Sequence, residues 1–366
     1  MSVIRHSEDV ATSANAMATV PTITNPAGAV ETCGDAWSAA ALQALLRDPS
    51  PLADDRWRRW CAELLRTDRL GPQELLEWWR AAAEFDPILA EYGGRLIPVP
   101  ERTVVVAGSG KEQFKTFNIS TAAAILAAAT GVSVVKGVSR SVSAVSGASD
   151  ILDVLGIKPV LNPEAIPQSL ERHGIAFVSY PQFCPRYAAR YDGVFATLNP
   201  ASFFMPIAAL GVEACGYLFG LAHSDVTLAA ATLRQIRPDL TSGVVVSTEL
   251  TVGETVDEYA DVGVARLARL TDGVITGGLR RGAKSTSSWR RAVAHRPTHG
   301  GNAALVVEAL TAHADTPATR LVEMNAALVL SVSNVGQGLN DATNQVRCAR
   351  RAGRAESLLA SLITAR

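Results

Sequence analysis

Apolar residues recur every three to four positions along residues 57–79: Trp57, Trp60, Cys61, Leu64 and Leu65 form one stripe, and Leu75, Leu76, Trp78 and Trp79 mark another. That spacing puts each set on one face of a helix, so residues 35–89 read as helical, with the tryptophans turned to a core or a subunit interface. The pattern changes at Val104-Val105-Val106-Ala107, a β-branched run that suits a buried strand. Similar runs at 132–135, 175–179, 216–221 and 243–247 alternate with helical stretches at 122–129 and at 225–236, the latter capped by Ser224. Such alternation predicts a mostly parallel central sheet flanked by helices. The fold class is therefore α/β: a tail at 1–32, a small N-terminal α-helical domain at 33–98, and a large α/β domain at 99–366 that ends in further helices. Glycine and proline at 92–100 suit a hinge between the domains, and 279–299 reads as a loose basic stretch.

With 48% hydrophobic and 19% charged residues, a chain of 366 residues can bury a large core without metals or disulfides. Its five cysteines (Cys33, Cys61, Cys184, Cys215, Cys348) contain no Cys-x-x-Cys pair and are odd in number, which argues against a disulfide framework or zinc site and for a reducing cytoplasm. Residues 1–32, rich in Ala, Thr, Ser and Pro, read as a disordered tail rather than a signal peptide. No segment reaches the ~20 uninterrupted apolar residues of a membrane span. A net charge of −1 weighs against nucleic-acid binding, although Arg280, Arg281, Lys284, Arg290, Arg291 and Arg296 form a local basic cluster.

The candidate chemistry follows the first strand. Gly108-Ser109-Gly110 can turn sharply and leave amides open, while Ser120-Thr121 open an alanine-rich helix, where unpaired N–H groups and the dipole favour an anion. A Gly-x-Gly alone is weak evidence. The next strand, however, ends in Lys136 and leads into a loop rich in basic and hydroxyl residues. Both loops lie at the carboxyl ends of adjacent strands, where open α/β sheets bind ligands, and together they predict a polyphosphate cradle.

These residues resemble a known family. Gly108-x-Gly110 with Thr116-Phe117-Asn118-Ile119-Ser120-Thr121, then Lys136-x-x-x-Arg140-Ser141-Val142-Ser143, then Ser146-Gly147-x-x-Asp150-x-Leu152-x-x-Leu155-Gly156, is similar to the anthranilate phosphoribosyltransferases, whose fold is shared with pyrimidine nucleoside phosphorylases. The likeness runs from about Trp57 to the C-terminus and is dense at 104–156 and again at 322–327. It implies an enzyme that displaces pyrophosphate from phosphoribosyl pyrophosphate with Mg2+, and a homodimer formed through the helical domain, with the active cleft between the domains. Positive charge builds on the ribose as negative charge leaves, so Lys136 would face the leaving pyrophosphate, with Glu112 as a second catalytic residue at the ribose hydroxyls. Gly108, Ser109, Gly110, Lys111, Glu112, Lys115, Thr116, Asn118, Ser120, Thr121, Lys136, Ser143 and Ser146 would hold the donor. Ser120 would also be a metal ligand, together with an Asp-Glu pair further along. An ungapped count from the strand at 244–246 places that pair at Gly253-Glu254, which keeps Glu254 as a ligand and loses the aspartate. Asp257 and Glu258, just beyond, fit a substitute pair or a solvated acidic face equally well.

The acceptor side departs further. Ser139 stands where the family has an asparagine, and Val194 where it has an arginine that pairs with the anthranilate carboxylate; residues 207–211 replace a Gly-Pro-Leu-x-Asn-Pro loop. Losing such a clamp removes roughly 1.5–3 kcal/mol per charged hydrogen bond. The expected acceptor is therefore an aromatic or heteroaromatic molecule other than anthranilate, in a setting such as secondary metabolism. It would be held by Ser139, Arg140, Tyr180, Cys184, Tyr187 and Val194, with Phe183 also able to stack. Arg186 and Arg190 read as surface residues or as a relocated clamp. Two alternatives stand beside this reading: a non-catalytic nucleic-acid-binding member of the fold, and a nucleoside phosphorylase-like enzyme.

Overall fold

The computed structural model describes residues 38–67, 69–140, 144–333 and 337–364; the expected tail at 1–32, Cys33 and Ser143 lie outside the described residues. The described residues form one compact unit. It opens with α1 (Ala39–Arg47), α2 (Pro51–Arg66), α3 (Pro72–Phe85) and α4 (Pro87–Gly94). Caps set their starts: the Ser38 and Ser50 hydroxyls accept from the Ala41 and Ala53 N–H groups, and Pro51, Pro72 and Pro87 occupy first-turn positions, where no N–H is needed. The tryptophan stripe faces inward as its spacing predicts: Trp57 and Trp78 are fully buried and stack at 5.9 Å between ring centroids.

The α/β part runs β1 (Ile97–Pro98), β2 (Val104–Gly108), α5 (Ile119–Ala128), β3 (Val134–Val138), α6 (Ala148–Leu155), α7 (Ile166–His173), β4 (Ile175–Ser179), α8 (Pro185–Tyr191), α9 (Met205–Ala208), β5 (Val212–Glu213), β6 (Gly216–Gly220) and α10 (Val226–Ile236). It continues through β7 (Ser242–Thr251), β8 (Glu254–Val256), β9 (Val264–Thr271), β10 (Val274–Arg281), α11 (Ser287–Val293), α12 (His299–Thr311), α13 (Pro317–Ser333), α14 (Leu339–Arg351) and α15 (Arg354–Thr364). The main sheet has the order β10-β9-β7-β6-β2-β3-β4, with β8 paired to β7. From β7 to β4 the strands are parallel; β8, β9 and β10 join antiparallel. Successive strands pass to one side of β2 (β3, β4) and then to the other (β6, β7), so the order reverses at β2. A crevice opens at such a switch point, beyond the carboxyl ends of the strands. Alanines let α5 come close to its neighbours: every side chain from Thr121 to Ala127 is fully buried, and α5 packs against α13 as well as against β2 and β3.

Three local expectations are corrected. Asp225, not Ser224, caps α10, its carboxylate accepting from the Leu228 N–H at 2.9 Å. The stretch at 279–299 is not loose: it holds the end of β10 and all of α11, where Trp289 and Val293 turn into the core. The 92–100 connection is tied down, because β1 pairs parallel with β5 and Gly211 lies so close to Tyr92 that a Cβ there would sit 2.6 Å from the tyrosine Cβ.

The closing helices are locked by a buried ion cluster. Glu323 and Arg350 are each about 1% exposed and meet at 2.7 Å, and Arg347 reaches the other Glu323 oxygen at 3.2 Å. Removing one partner of a buried pair leaves the other charge uncompensated. Glu323→Ala is expected to lower the unfolding free energy by about 3–5 kcal/mol, measured by urea denaturation; a loss below ~1 kcal/mol would show that Arg350 is solvated in the native state.

Candidate active site

A cleft of about 160 Å³ lies at the carboxyl ends of β2 and β3. Gly108, Ser109, Gly110, Lys111, Glu112, Lys115, Thr116, Asn118 and Ser120 line it from the β2–α5 loop; Lys136, Gly137, Ser139, Arg140 and Ser146 line it from β3 and the loop after it. Asp257, Glu258 and His295 complete the wall. Backbone conformation shapes the first loop. Gly110 adopts φ +63°, and Asn118 at the start of α5 adopts φ +62°, a left-handed value that asparagine tolerates better than most residues. Consecutive helical residues point about 100° apart. Ser120 therefore faces the cleft, whereas Thr121 is fully buried and does not line it.

The acidic pair in the cleft is Asp257-Glu258. The ungapped count to Glu254 is overturned by a hairpin: β7 continues to Thr251, turns through Gly253 at φ +77°, and returns as β8, which delays the pair by a few residues. Glu254 does not line the cleft and is spent on Arg290, whose guanidinium donates to both carboxylate oxygens at 2.9 and 2.6 Å. That arginine belongs to the basic cluster read from the sequence. Another member, Arg280, donates to the Ala260 carbonyl and stacks on Tyr259, so the cluster is partly consumed by internal contacts. Asp257 is held by its neighbours. The Gly110 N–H donates to its Oδ2 at 3.1 Å, and Asn325 clamps the Tyr259 backbone, accepting from its N–H at 3.0 Å and donating to its carbonyl at 3.1 Å.

The electrostatics call for a cation and an anion together. Burial, followed by the nearby Asp257 charge, pushes the Glu112 carboxyl up to about 7, and burial with Asp257 and Glu112 raises Glu258 well above the carboxylate range. Glu112 and Glu258 each keep one buried oxygen with no hydrogen-bond partner among the described residues. Lys136 is buried, donates to the Gly137 carbonyl at 2.6 Å, and is pushed down to about 8 by that burial against the opposing pull of Asp257 and Glu258. Among the described residues no three His, Cys, Asp or Glu side chains form a preformed metal cage. Mg2+ does not require one, since it is bound through one or two carboxylates plus substrate phosphates, and the orphaned carboxylate oxygens beside Ser120 fit that mode.

A family model described as the glycosyl transferase family, a/b domain, matches residues 101–356. The chain belongs to this family. Its similarity to anthranilate phosphoribosyltransferases is direct: it is 30% identical to the one from Neisseria meningitidis serogroup C (serotype 2a, strain FAM18) over 264 residues, covering 70% of this chain and 72% of that protein. A stretch of 84 residues is 50% identical to the anthranilate phosphoribosyltransferase of Methanosarcina barkeri, and there the chain spans only 23% of the relative's length. In fold it matches the crystal structure of the Thermus thermophilus anthranilate phosphoribosyltransferase with a TM-score of 0.70 at 22% identity, over 89% of this chain and 93% of that one. The yeast anthranilate phosphoribosyltransferase in complex with PRPP and Mg matches with a TM-score of 0.68 at 16% identity, over 89% and 91%.

The acceptor-side expectations from 180–194 are corrected. Only Ser139 and Arg140 of that set line the cleft, and Arg140 also meets Asp150 and Asp153 at 3.6 and 3.5 Å. Tyr187, Cys184 and Phe183 are fully buried, Val194 nearly so. Tyr187 accepts a hydrogen bond from the Trp78 indole at 2.9 Å and stacks on Tyr191, while Asp86 accepts from its backbone N–H at 2.8 Å, so α8 is the seam on which the N-terminal helices dock. The Val194 carbonyl accepts from Arg58, and the Tyr180 hydroxyl donates to Asp192. Arg190 is neither surface residue nor clamp: it pairs with Asp54 at 2.7 Å and lies over Trp57. Arg186 covers the Phe85 ring. Lys111 crosses to this seam, its ammonium donating to the Phe195 carbonyl at 2.9 Å.

Of the two readings that the sequence offers for Asp257 and Glu258, the structure supports the pair in the cleft; His295, which the sequence does not single out, gives no signal, since nothing near it in sequence belongs to the phosphate loops. Tyr187→Phe is expected to remove the hydroxyl that accepts from the Trp78 indole and to cost about 0.5–1.5 kcal/mol in urea unfolding, with the acceptor KM unchanged; a shift in KM without loss of stability would return Tyr187 to the acceptor site.

Proposed function

We propose that the chain is a phosphoribosyltransferase that moves 5-phosphoribose from phosphoribosyl pyrophosphate to an aromatic or heteroaromatic acceptor and releases pyrophosphate. The observation that carries this is the convergence, at one switch point, of the β2 loop amides, the start of α5, Lys136 and an acidic group short of positive charge. Yeast anthranilate phosphoribosyltransferase has been crystallised with PRPP and Mg and with 4-fluoroanthranilate, which supports the same donor and an aromatic acceptor here. Ser120, Asp257 and Glu258 would hold Mg2+, which when bound offsets phosphate charge. In this reading Gly108–Gly110 and Asn118 grip the phosphates, Lys136 stabilises charge on the departing pyrophosphate, and Glu112 orients the ribose. The acceptor nucleophile bonds to the anomeric carbon as the bond to pyrophosphate breaks, and the pyrophosphate leaves with the electron pair. The acceptor differs from anthranilate in this proposal: Ser139, on the cleft wall, supplies a hydroxyl where the family has an amide. The same reading includes a cytoplasmic homodimer formed through α1–α4 and a place in secondary metabolism.

Calorimetric titration of Mg2+ and phosphoribosyl pyrophosphate is the direct test. The wild type is expected to bind, and Lys136→Ala and Ser120→Ala to weaken binding by at least ~10-fold, which is about 1.4 kcal/mol, and to abolish turnover. Absence of binding in the wild type would overturn the proposal, as would full turnover in either variant.

A further inference from the structure

His295 enters the cleft wall from a distant segment and touches both phosphate-type loops. Its position is set by backbone pairing: Thr116 and Ala294 form an antiparallel bridge, the Phe117 N–H donates to the Val293 carbonyl at 3.2 Å, and the His295 N–H donates to the Lys115 carbonyl at 2.9 Å. The imidazole then uses both nitrogens. Nδ1 lies 3.1 Å from the Thr116 carbonyl, which can only accept, and Nε2 lies 3.1 Å both from the Ser146 N–H, which can only donate, and from the Asn302 side-chain nitrogen. The Thr116 and Ser146 contacts fix a neutral ring with its proton on Nδ1. Asn302, fully buried, holds the following turn by accepting from the Arg296 N–H at 2.8 Å and donating to the Arg296 and Thr298 carbonyls.

A histidine in a polyphosphate cleft invites the reading of a cationic phosphate ligand. The geometry points elsewhere. A doubly protonated ring would set an N–H against the Ser146 N–H, and Lys115 and His299, which face it, oppose a further positive charge. Burial is the largest influence and lowers the imidazole's affinity for a proton, against the opposing pull of the Thr116 carbonyl. We infer that His295 is a positioning residue: a neutral Nδ1–H imidazole that staples the β2–α5 loop at Thr116 to the β3–α6 loop at Ser146 and so holds the two halves of the donor site in register. Ser146 is thereby committed as well, its N–H to His295 and its hydroxyl to His299 Nδ1 at 2.7 Å. Its place is to shape the loop rather than to bind phosphate. This inference rests on the donor reading above, but the staple itself is testable without any ligand.

Long-range 15N–1H correlation spectra of the full chain, with the His295 signals assigned by their loss in His295→Gln, should show a neutral ring protonated at Nδ1 at pH 7. A ring protonated at Nε2, or at both nitrogens, would overturn the staple. Hydrogen exchange of the Ser146 amide should accelerate in His295→Ala, and Mg2+–phosphoribosyl pyrophosphate affinity should fall about tenfold, the factor that losing the two neutral hydrogen bonds to the Thr116 and Ser146 loops supplies. Unchanged exchange and affinity in a folded His295→Ala would overturn the positioning role. If the wild type fails to bind the donor while the Nδ1–H ring and the slow Ser146 exchange are present, the staple stands and the donor reading falls.

Discussion

The site depends on how closely the Asp257 backbone approaches the ends of two neighbouring strands. A Cβ at Gly220, the last residue of β6, would lie 2.0 Å from the Asp257 carbonyl oxygen, and one at Gly108, the last residue of β2, would lie 2.8 Å from its carboxylate. Only glycine leaves that space, and only because the space exists can the carboxylate accept from the Gly110 N–H. The turn after β2 and the acidic pair after β8 are therefore one unit, although 147 residues separate Gly110 from Asp257. Asn325 extends the unit into α13, and so ties the cleft to the same helix that Glu323 fixes in the core.

That approach concentrates negative charge. Three carboxyl groups, Glu112, Asp257 and Glu258, share a partly dry wall with Lys136 and Lys115, and Lys115 pairs with Glu112 at 3.2 Å. Raised carboxyl groups and a depressed lysine in one cavity mean that neither sign of charge is satisfied by the protein alone. A ligand carrying both signs, a metal with a polyphosphate, relieves the two imbalances at once. A nucleic-acid backbone brings only anions and would leave the carboxyl groups opposed.

What could be read from the chain was what is contiguous. The strand, turn and helix start at 104–121 and the Lys136 loop are local arrangements, so their residue types carry their positions, and most of them face the cleft. Residues whose direction is set by distant packing could not be read. Tyr187 is aromatic and near the expected acceptor side, yet its ring goes under Trp78 because α8 is buried by the N-terminal helices. Thr121 sits one residue from Ser120 but one-third of a helical turn around. Glu254 falls at the counted position only if β7 ends early, and the end of β7 is held by pairing with β8, which no short motif encodes.

Lys111 joins two departures that look independent in sequence. By the resemblance, Lys111 stands where the family's phosphate loop has a glycine, and Val194 where it has an arginine. In the fold these changes meet, because the Lys111 ammonium, desolvated and lowered in pKa by burial, ends on the Phe195 carbonyl next to Val194. An ammonium carries three donors, and this contact occupies one. A cation carried by the β2–α5 loop thus ends beside the position that lacks one, in the seam where the N-terminal helices dock. Lys111 and Gly110 belong to one loop, so the turn that lines the cleft and the seam on which the N-terminal helices dock are tied together through it.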